Sequence, residues 1–172
     1  MIDAAACATL ARYNAWMNER LYALVATLPD AERTRDRGAF FKSIHATLDH
    51  IVYADLAFFS RFTGDPPEVP PLGVVLHPDF GALRAVRAVL DRRLLDWAAT
   101  LETEWLREPL GYTSKVDGAW RVVPRWTLVL HLFNHQTHHR GQVTTLLSQM
   151  GLDMGSTDLP FMPGYAAAGP AA

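Results

Sequence analysis

A single cysteine, Cys7, stands in a chain of 172 residues, so no disulfide can form within it and nothing calls for an oxidising compartment. Long apolar runs are missing too. No stretch approaches the roughly 18 apolar residues of a membrane span. The opening residues, MIDAAACATLARYNAW, lack a basic region followed by an apolar one, so no signal peptide is expected. Charge of one sign is scarce: 16 Lys and Arg face 18 Asp and Glu, a formal charge of -2. That balance argues against a broad phosphate-binding surface, because duplex binding is largely phosphate neutralisation by Lys and Arg. There is no phosphate-binding Gly-rich loop, no serine nucleophile elbow and no CxxC pair. The expectation is a cytoplasmic protein with no membrane and no nucleic-acid partner.

What is present is an ordinary globular composition, 49% hydrophobic and 20% charged, of a length that suits one domain over residues 1–172. Four segments carry helical periodicity. The first spans about Asp3 to Leu28, with Leu10, Tyr13, Met17, Leu21 and Leu24 stepping by three or four and Asp3 as its cap. The second spans about Phe40 to Phe62, with Asp55 a polar intruder among Ile44, Leu48, Ile51 and Phe58. Residues 63–78 hold five of the eleven prolines and read as an extended connection, which lets the next helix run parallel to the last. The third helix starts near Asp79 and continues to about Glu104. Residues 107–123 change character around Lys115-Val116-Asp117-Gly118, and the Asp-Gly pair predicts a β-hairpin. The fourth helix spans about Pro124 to Met150, with Gly151 beyond its end. The fold class expected is all-α: a four-helix bundle with a short β-hairpin between helices three and four.

Seven histidines are the unusual feature, and four of them fall within residues 131–139. With His135 at zero on a helical wheel, Leu128 and Leu146 fall at about +20° and His139 at about +40°, in the middle of the apolar stripe. Gln142 shares that face. Two histidines at i and i+4 can converge on one metal ion, and imidazole nitrogen suits zinc, nickel, copper or iron. His131, also four residues from His135, competes for the pairing from the other side. The third candidate ligand is His50, whose face of the second helix carries Ala46, Ala54 and Ala57. Small residues there let a neighbouring helix approach, or leave a pocket beside the ion. His45 and His77 are expected to face solvent, and Cys7 to be an unreactive core or surface residue.

His135-x3-His139-Arg140-Gly141-Gln142 resembles the hallmark of the DinB-like metalloprotein family. Ser43-Ile44-His45-Ala46-Thr47-Leu48-Asp49-His50-Ile51 with Ala54-Asp55 is similar to its second-helix motif, and Tyr13-Asn14-x-Trp16-x-Asn18 to its first. Asp158-Leu159-Pro160 resembles the start of its C-terminal tail. The resemblance implies an up-down-down-up bundle that holds one divalent metal ion per chain on His50, His135 and His139, zinc or nickel being the expected occupant. It further implies a homodimer, in keeping with the five tryptophans, and chemistry on a small-molecule substrate with a low-molecular-weight thiol as cosubstrate. The function expected is therefore a metal-dependent thiol S-transferase.

Two other classes remain open at this stage. A metal-dependent hydrolase needs a general base, and Asp49 and Asp55 are the carboxylates near His50 in sequence. A non-catalytic metal-stabilised bundle needs no open coordination position. Arg140 points away from His135 and is expected to brace the bundle. Gln142 is expected to orient a ligand or to fill a polar gap. Gly141 is a candidate for close helix approach, and Tyr13, Asn14 and Asn18 for the mouth of the bundle or for ordinary packing.

Overall fold

The structure, a computed structural model, describes residues 1–64, 71, 73–114 and 117–165. Helix α1 (Ala4–Ala26) starts at the predicted cap, with Asp3 accepting from the Ala6 amide at 2.8 Å. A short helix, α2 (Asp30–Thr34), follows Pro29. Helix α3 (Ile44–Thr63) begins later than the periodicity predicts. Lys42 takes a φ of 70°, and Ser43, extended, caps the helix by accepting from the Ala46 amide at 3.1 Å. Phe40 therefore lies outside the helix and is 82% exposed. Helix α4 (Phe80–Ala99) starts at the predicted Asp79 cap but stops short of Glu104. Glu102 is extended there (φ -104°, ψ 141°), and a separate helix, α5 (Thr103–Arg107), follows.

The predicted hairpin is present. Strand β1 (Pro109–Thr113) pairs antiparallel with β2 (Trp120–Pro124), Pro109 opposite Pro124 and Thr113 opposite Trp120. The Trp120 indole lies over Gly111, where a Cβ would push it aside. Lys115 and Val116 of the predicted turn lie outside the described residues, as do most of the prolines in the predicted connection and the last residues of the tail. Helix α6 (Arg125–Gln149) completes the bundle. Among the described residues, no helix is long and apolar enough to cross a membrane.

Side-chain pairings fix the direction of each long helix. Tyr22 of α1 stacks on Phe80 at the start of α4, while the Ala4 amide meets Thr103 just beyond the end of α4, so these helices are antiparallel. His45 and Phe59 of α3 meet Phe80 and Trp97 of α4, so those two are parallel. His50 and Phe58 meet His139 and His131, so α3 and α6 are antiparallel. The result is the up-down-down-up bundle. At one end Phe59, Phe62, Trp97 and Trp105 pack ring against ring. Trp97 and Trp105 are thus engaged internally and Trp126 also packs against the core, whereas Trp120 is 67% exposed.

Midway along the bundle, a polar knot ties all four long helices together. Asp55 Oδ2 accepts from Arg87 and from the Gln136 amide. Arg87 also pairs with Asp91 at 2.8 Å, and Asp91 accepts from Asn18 at 2.9 Å and Asn14 at 3.2 Å. Arg140 donates to Asn14, and to Gln136 at 3.0 Å. Buried polar groups of this kind are stable only when paired. Because the knot ties Gln136 to Asn18 of α1 and Asp55 of α3, and Arg140 to Asn14 of α1, it sets the rotation of α6 and leaves the His135 and His139 edge facing His50 of α3.

Candidate metal centre

His135 and His139 sit one turn apart on α6, and His50 faces them from α3. The Nε2 atoms of His50 and His135 are 3.3 Å apart, and those of His135 and His139 are 3.0 Å apart. One ligand nitrogen from each of the three lies within 4.8 Å of the others. A tetrahedral ion with metal–nitrogen bonds of about 2.0–2.1 Å places its ligand nitrogens roughly 3.3 Å apart. The two Nε2 separations at His135 match that spacing, and His50 and His139 offer nitrogens within 4.8 Å of each other. Three neutral imidazoles facing one another cannot satisfy three inward nitrogens by hydrogen bonds alone, whereas a cation at their centre can. The donor set therefore fits a divalent metal.

The surroundings prepare the histidines for that task. Gln142 Oε1 accepts from His139 Nδ1 at 2.7 Å, which leaves the Nε2 lone pair free to face the cluster. Gln142 donates in turn to His138 Nε2 at 3.3 Å, so its amide is held at both ends. Phe41 stacks on His50 at 3.9 Å between ring centres, and Phe58 stands 6.1 Å from His135 on the other side. Burial pushes the His50 pKa down to about 4, with the neighbouring His139 adding to the effect. Burial likewise takes His135 to about 3, helped first by His139 and then by His50. His139 is also lowered by burial, with Gln142 opposing the shift. The three are uncharged at neutral pH, the form a metal requires. His135 Nδ1 is buried without a hydrogen-bond partner among the described residues.

The competing pair is looser. The His131 and His135 rings are 5.8 Å apart, against 4.3 Å for His135 and His139. His131 packs edge-on against Phe58 instead.

Other expectations need correction. His45 does not face solvent: it is 4% exposed, and its Nε2 lies 2.7 Å from the His77 carbonyl oxygen. His77 is held as well, its backbone amide and Nδ1 reaching Asp49 at 3.0 and 3.1 Å. Asp49 also accepts from the Leu76 amide at 2.7 Å, so its carboxylate anchors the incoming connection to α3. Asp55 belongs to the polar knot. Both carboxylates proposed as a general base are thus engaged elsewhere. Asn14 and Asn18 are buried in the knot and do not line a mouth. Gly141 is exposed, and a Cβ there would meet nothing within 4 Å, so it serves no close approach. Arg140 braces the bundle as expected, at 4% exposure, with burial lowering its pKa to about 10. Cys7 is buried and its thiol is raised to about 11, by burial and then by Asp3, which leaves it unreactive.

A cavity of about 500 Å³ opens beside His50 and His135. Ala54 and Ala57 line it, so the small residues of α3 make a pocket rather than a helix contact. Phe41, Arg87 and Gln136 are positioning residues that sequence reasoning missed. Arg87 continues the Leu83, Leu90 and Leu94 stripe, and Gln136 follows Leu132 by one turn. A polar residue in each stripe was the available signal. Phe41 lies before the helix and left no periodic signal.

The DinB family model matches residues 1–169. Protein DinB of Bacillus subtilis is 26% identical over 153 residues, covering 87% of this chain and 88% of that protein. The uncharacterised protein YrdA of the same organism is 36% identical over 52 residues, 30% of each chain. A crystal structure of a DinB-like protein from Bacillus cereus shares the fold, with a TM-score of 0.59 at 19% identity over 81% of this chain and 89% of the other. With a match of that extent, this chain belongs to the DinB family.

Proposed function

We propose that the protein binds one divalent ion per chain through His50, His135 and His139, and that it is a metal-dependent enzyme transferring a low-molecular-weight thiol to a small electrophile. The observation that carries the reading is the convergence of three uncharged imidazoles, with Gln142 fixing the donor atom of one of them. Three neutral ligands suit zinc or nickel. An ion held there would be a Lewis acid able to lower the pKa of a bound thiol or water toward neutrality.

The chain's own residues favour the thiol over water. Hydrolysis calls for a base beside the ion, and Asp49 and Asp55 are committed to the connection and the knot. A purely structural ion would be closed in by protein, yet His50 and His135 border a cavity with room for a small molecule. Phe41 and Phe58 flank the cluster with apolar surface and limit water on two sides. A cytoplasmic setting suits the proposal, because small thiols stay reduced there. A homodimer is part of the same reading, supported by the exposed Trp120 and Val122 of the hairpin. Sedimentation at micromolar concentration checks it, and a lone 19.2 kDa species rejects it.

The deciding experiment is spectroscopic. Protein made without a metal-affinity tag is stripped, loaded with cobalt(II) and titrated with 2-mercaptoethanol. A new sulfur-to-cobalt absorption band is expected. Failure to bind cobalt rejects the metal site, and a spectrum that no thiol alters rejects the transfer reading.

A further inference from the structure

Arg61 stands on the last turn of α3, half-buried in the wall of the cavity that His50 and His135 also line. Its guanidinium lies 4.9 Å from the centre of the Phe58 ring and 4.7 Å from that of Tyr112. Among the described residues it makes no ion pair. The other half-buried or buried arginines are all engaged by oxygen acceptors. Arg87 has Asp55 and Asp91, Arg33 and Arg37 have acidic partners on α2, Arg121 has Asp117, Arg125 has Glu108, Arg20 has backbone carbonyls, and Arg140 has side-chain amides. Arg12, Arg84 and Arg93 lack carboxylates too, but they are exposed to water. Among the described residues, Arg61 alone combines partial burial with aromatic contacts, no ion pair and no oxygen acceptor.

A guanidinium is always charged and has five donors in a fixed fork that matches a carboxylate. Burial disfavours the Arg61 charge, and the groups opposing that effect are the phenols Tyr112 and Tyr53. An anion beside it would supply what the described residues do not. The remaining cavity wall is mostly apolar, with Ala54, Ala57, Val123 and Leu128 between the arginine and the histidines. His131, lowered by burial and by Arg61 itself, adds no positive charge at neutral pH. Eleven positions along α3 separate His50 from Arg61, roughly 16 Å of helix rise. Apolar walls with a few placed polar groups, at a volume within roughly 300–1,000 Å³, are the usual form of a small-molecule site.

We infer that the cavity takes a small, largely apolar organic carboxylate, its charged group on Arg61 and its body against Ala54, Ala57 and Phe58, with its far end at the histidines. That this molecule is also the one that reacts rests on the metal-centre reading above; that it binds does not.

Calorimetry with 4-phenylbutyrate and its neutral amide, 4-phenylbutanamide, tests the inference on intact protein at neutral pH, with and without prior chelation. The acid is expected to bind roughly tenfold or more tightly than the amide. That preference should persist in chelated protein, shrink to about twofold or less in Arg61→Gln, and survive in part in Arg61→Lys. The acid-against-amide comparison in the natural protein needs no variant, so it stands even if a substitution impairs folding. Equal affinities, no binding of either probe, or a preference that survives Arg61→Gln overturns the inference. A preference that vanishes on chelation but survives Arg61→Gln puts the carboxylate on the ion, upholding the metal centre and rejecting Arg61. An Arg61-dependent preference in a protein that binds no metal upholds the carboxylate site and removes the metal-centre reading.

Discussion

Asp55 and His50 lie five positions apart on the same helix and belong to polar clusters of opposite design. Asp55 is 0% exposed and shares Oδ2 between Arg87 and Gln136, in a knot where charges of both signs and amides meet. His50 is half-buried, borders a cavity, and has nitrogen lone pairs for company. The knot draws its partners from within the chain, leaving Asp55 Oδ1 and Arg87 Nε without a hydrogen bond among the described residues, whereas the histidine cluster turns three nitrogens toward one another. A buried charge that loses its partner costs several kcal/mol, so the knot resists change. Uncharged imidazoles at an open edge tolerate an empty centre, which is what a site that exchanges ligands requires.

The largest effect separating the two should come from the knot. Arg87→Met leaves Asp55 and Asp91 without their cation and should cost about 3–5 kcal/mol. For a chain of this size that is a melting temperature lower by roughly 6–20 °C. Thermal unfolding followed by circular dichroism should show the same drop with and without zinc. A drop confined to the zinc-loaded protein would break the separation drawn here.

Next comes the histidine cluster, whose stability should be conditional. Zinc at 100–1,000 times its dissociation constant should raise the unfolding free energy by about 2.7–4.1 kcal/mol. His135→Ala should abolish that gain, while its metal-free form stays within about 1 kcal/mol of the natural protein, because the imidazole it removes has no partner at Nδ1. Urea unfolding with and without zinc measures both quantities.

Metal affinity sharpens the contrast within the cluster. His139→Ala should weaken zinc by more than about 100-fold and Gln142→Ala by roughly 10–100-fold, the range for a group that orients a ligand. His131→Ala should change it by less than about threefold, since its ring packs on Phe58. Competition titration against a chromogenic chelator ranks the three. If His131→Ala loses the ion while His139→Ala keeps it, the pocket must be redrawn one turn toward the start of α6.

The smallest effect is the pH dependence of the metal-free protein, where the clusters oppose each other. His50 and His135 ordinarily titrate at 6.5 and are held at about 4 and about 3. As pH falls from 6.5 toward 4, the unfolded chain takes up protons that the folded histidines refuse, so stability declines. Asp55 is raised by burial from 3.8 to about 6, against the pull of Arg87. Below pH 6 the folded chain holds a proton there that the unfolded chain lacks, so this group adds stability as pH falls toward 3.8. Burial also raises Asp91 and lowers His131 and His139, so four histidines outweigh two carboxylates, and the net decline should show in urea midpoints measured from pH 7 to pH 4. His50→Ala should flatten it, and a rising profile in the natural protein would reverse the assignment.

Much of this was legible before any coordinates. Helix spacing placed His135 and His139 on one face, and the alanines around His50 already marked an inward, roomy position. The α1 and α4 caps at Asp3 and Asp79 were readable because a capping carboxylate acts on the next turn. The failures share a physical origin. The sequence points His45 and His77 to solvent because their partners, a carbonyl and Asp49, come together only when the connection folds back on α3. The break at Lys42 depends on backbone geometry that sequence periodicity does not encode. Arg87 and Gln136 were passed over because a polar residue in an apolar stripe makes sense only alongside its counterpart on another helix.

The cavity draws its walls from two sources. His50, Ala57, Arg61 and His135 come from helices locked by the knot, while Tyr112, Ser114 and Val123 come from the hairpin. Among the described residues the hairpin strands pair only with each other and take no part in the knot that binds the helices. Under the proposed function, selectivity and reactivity would be set by separate parts of the chain. A transplanted hairpin would resize the outer wall and change which molecules are admitted, while the three imidazoles and their spacing stay as they are.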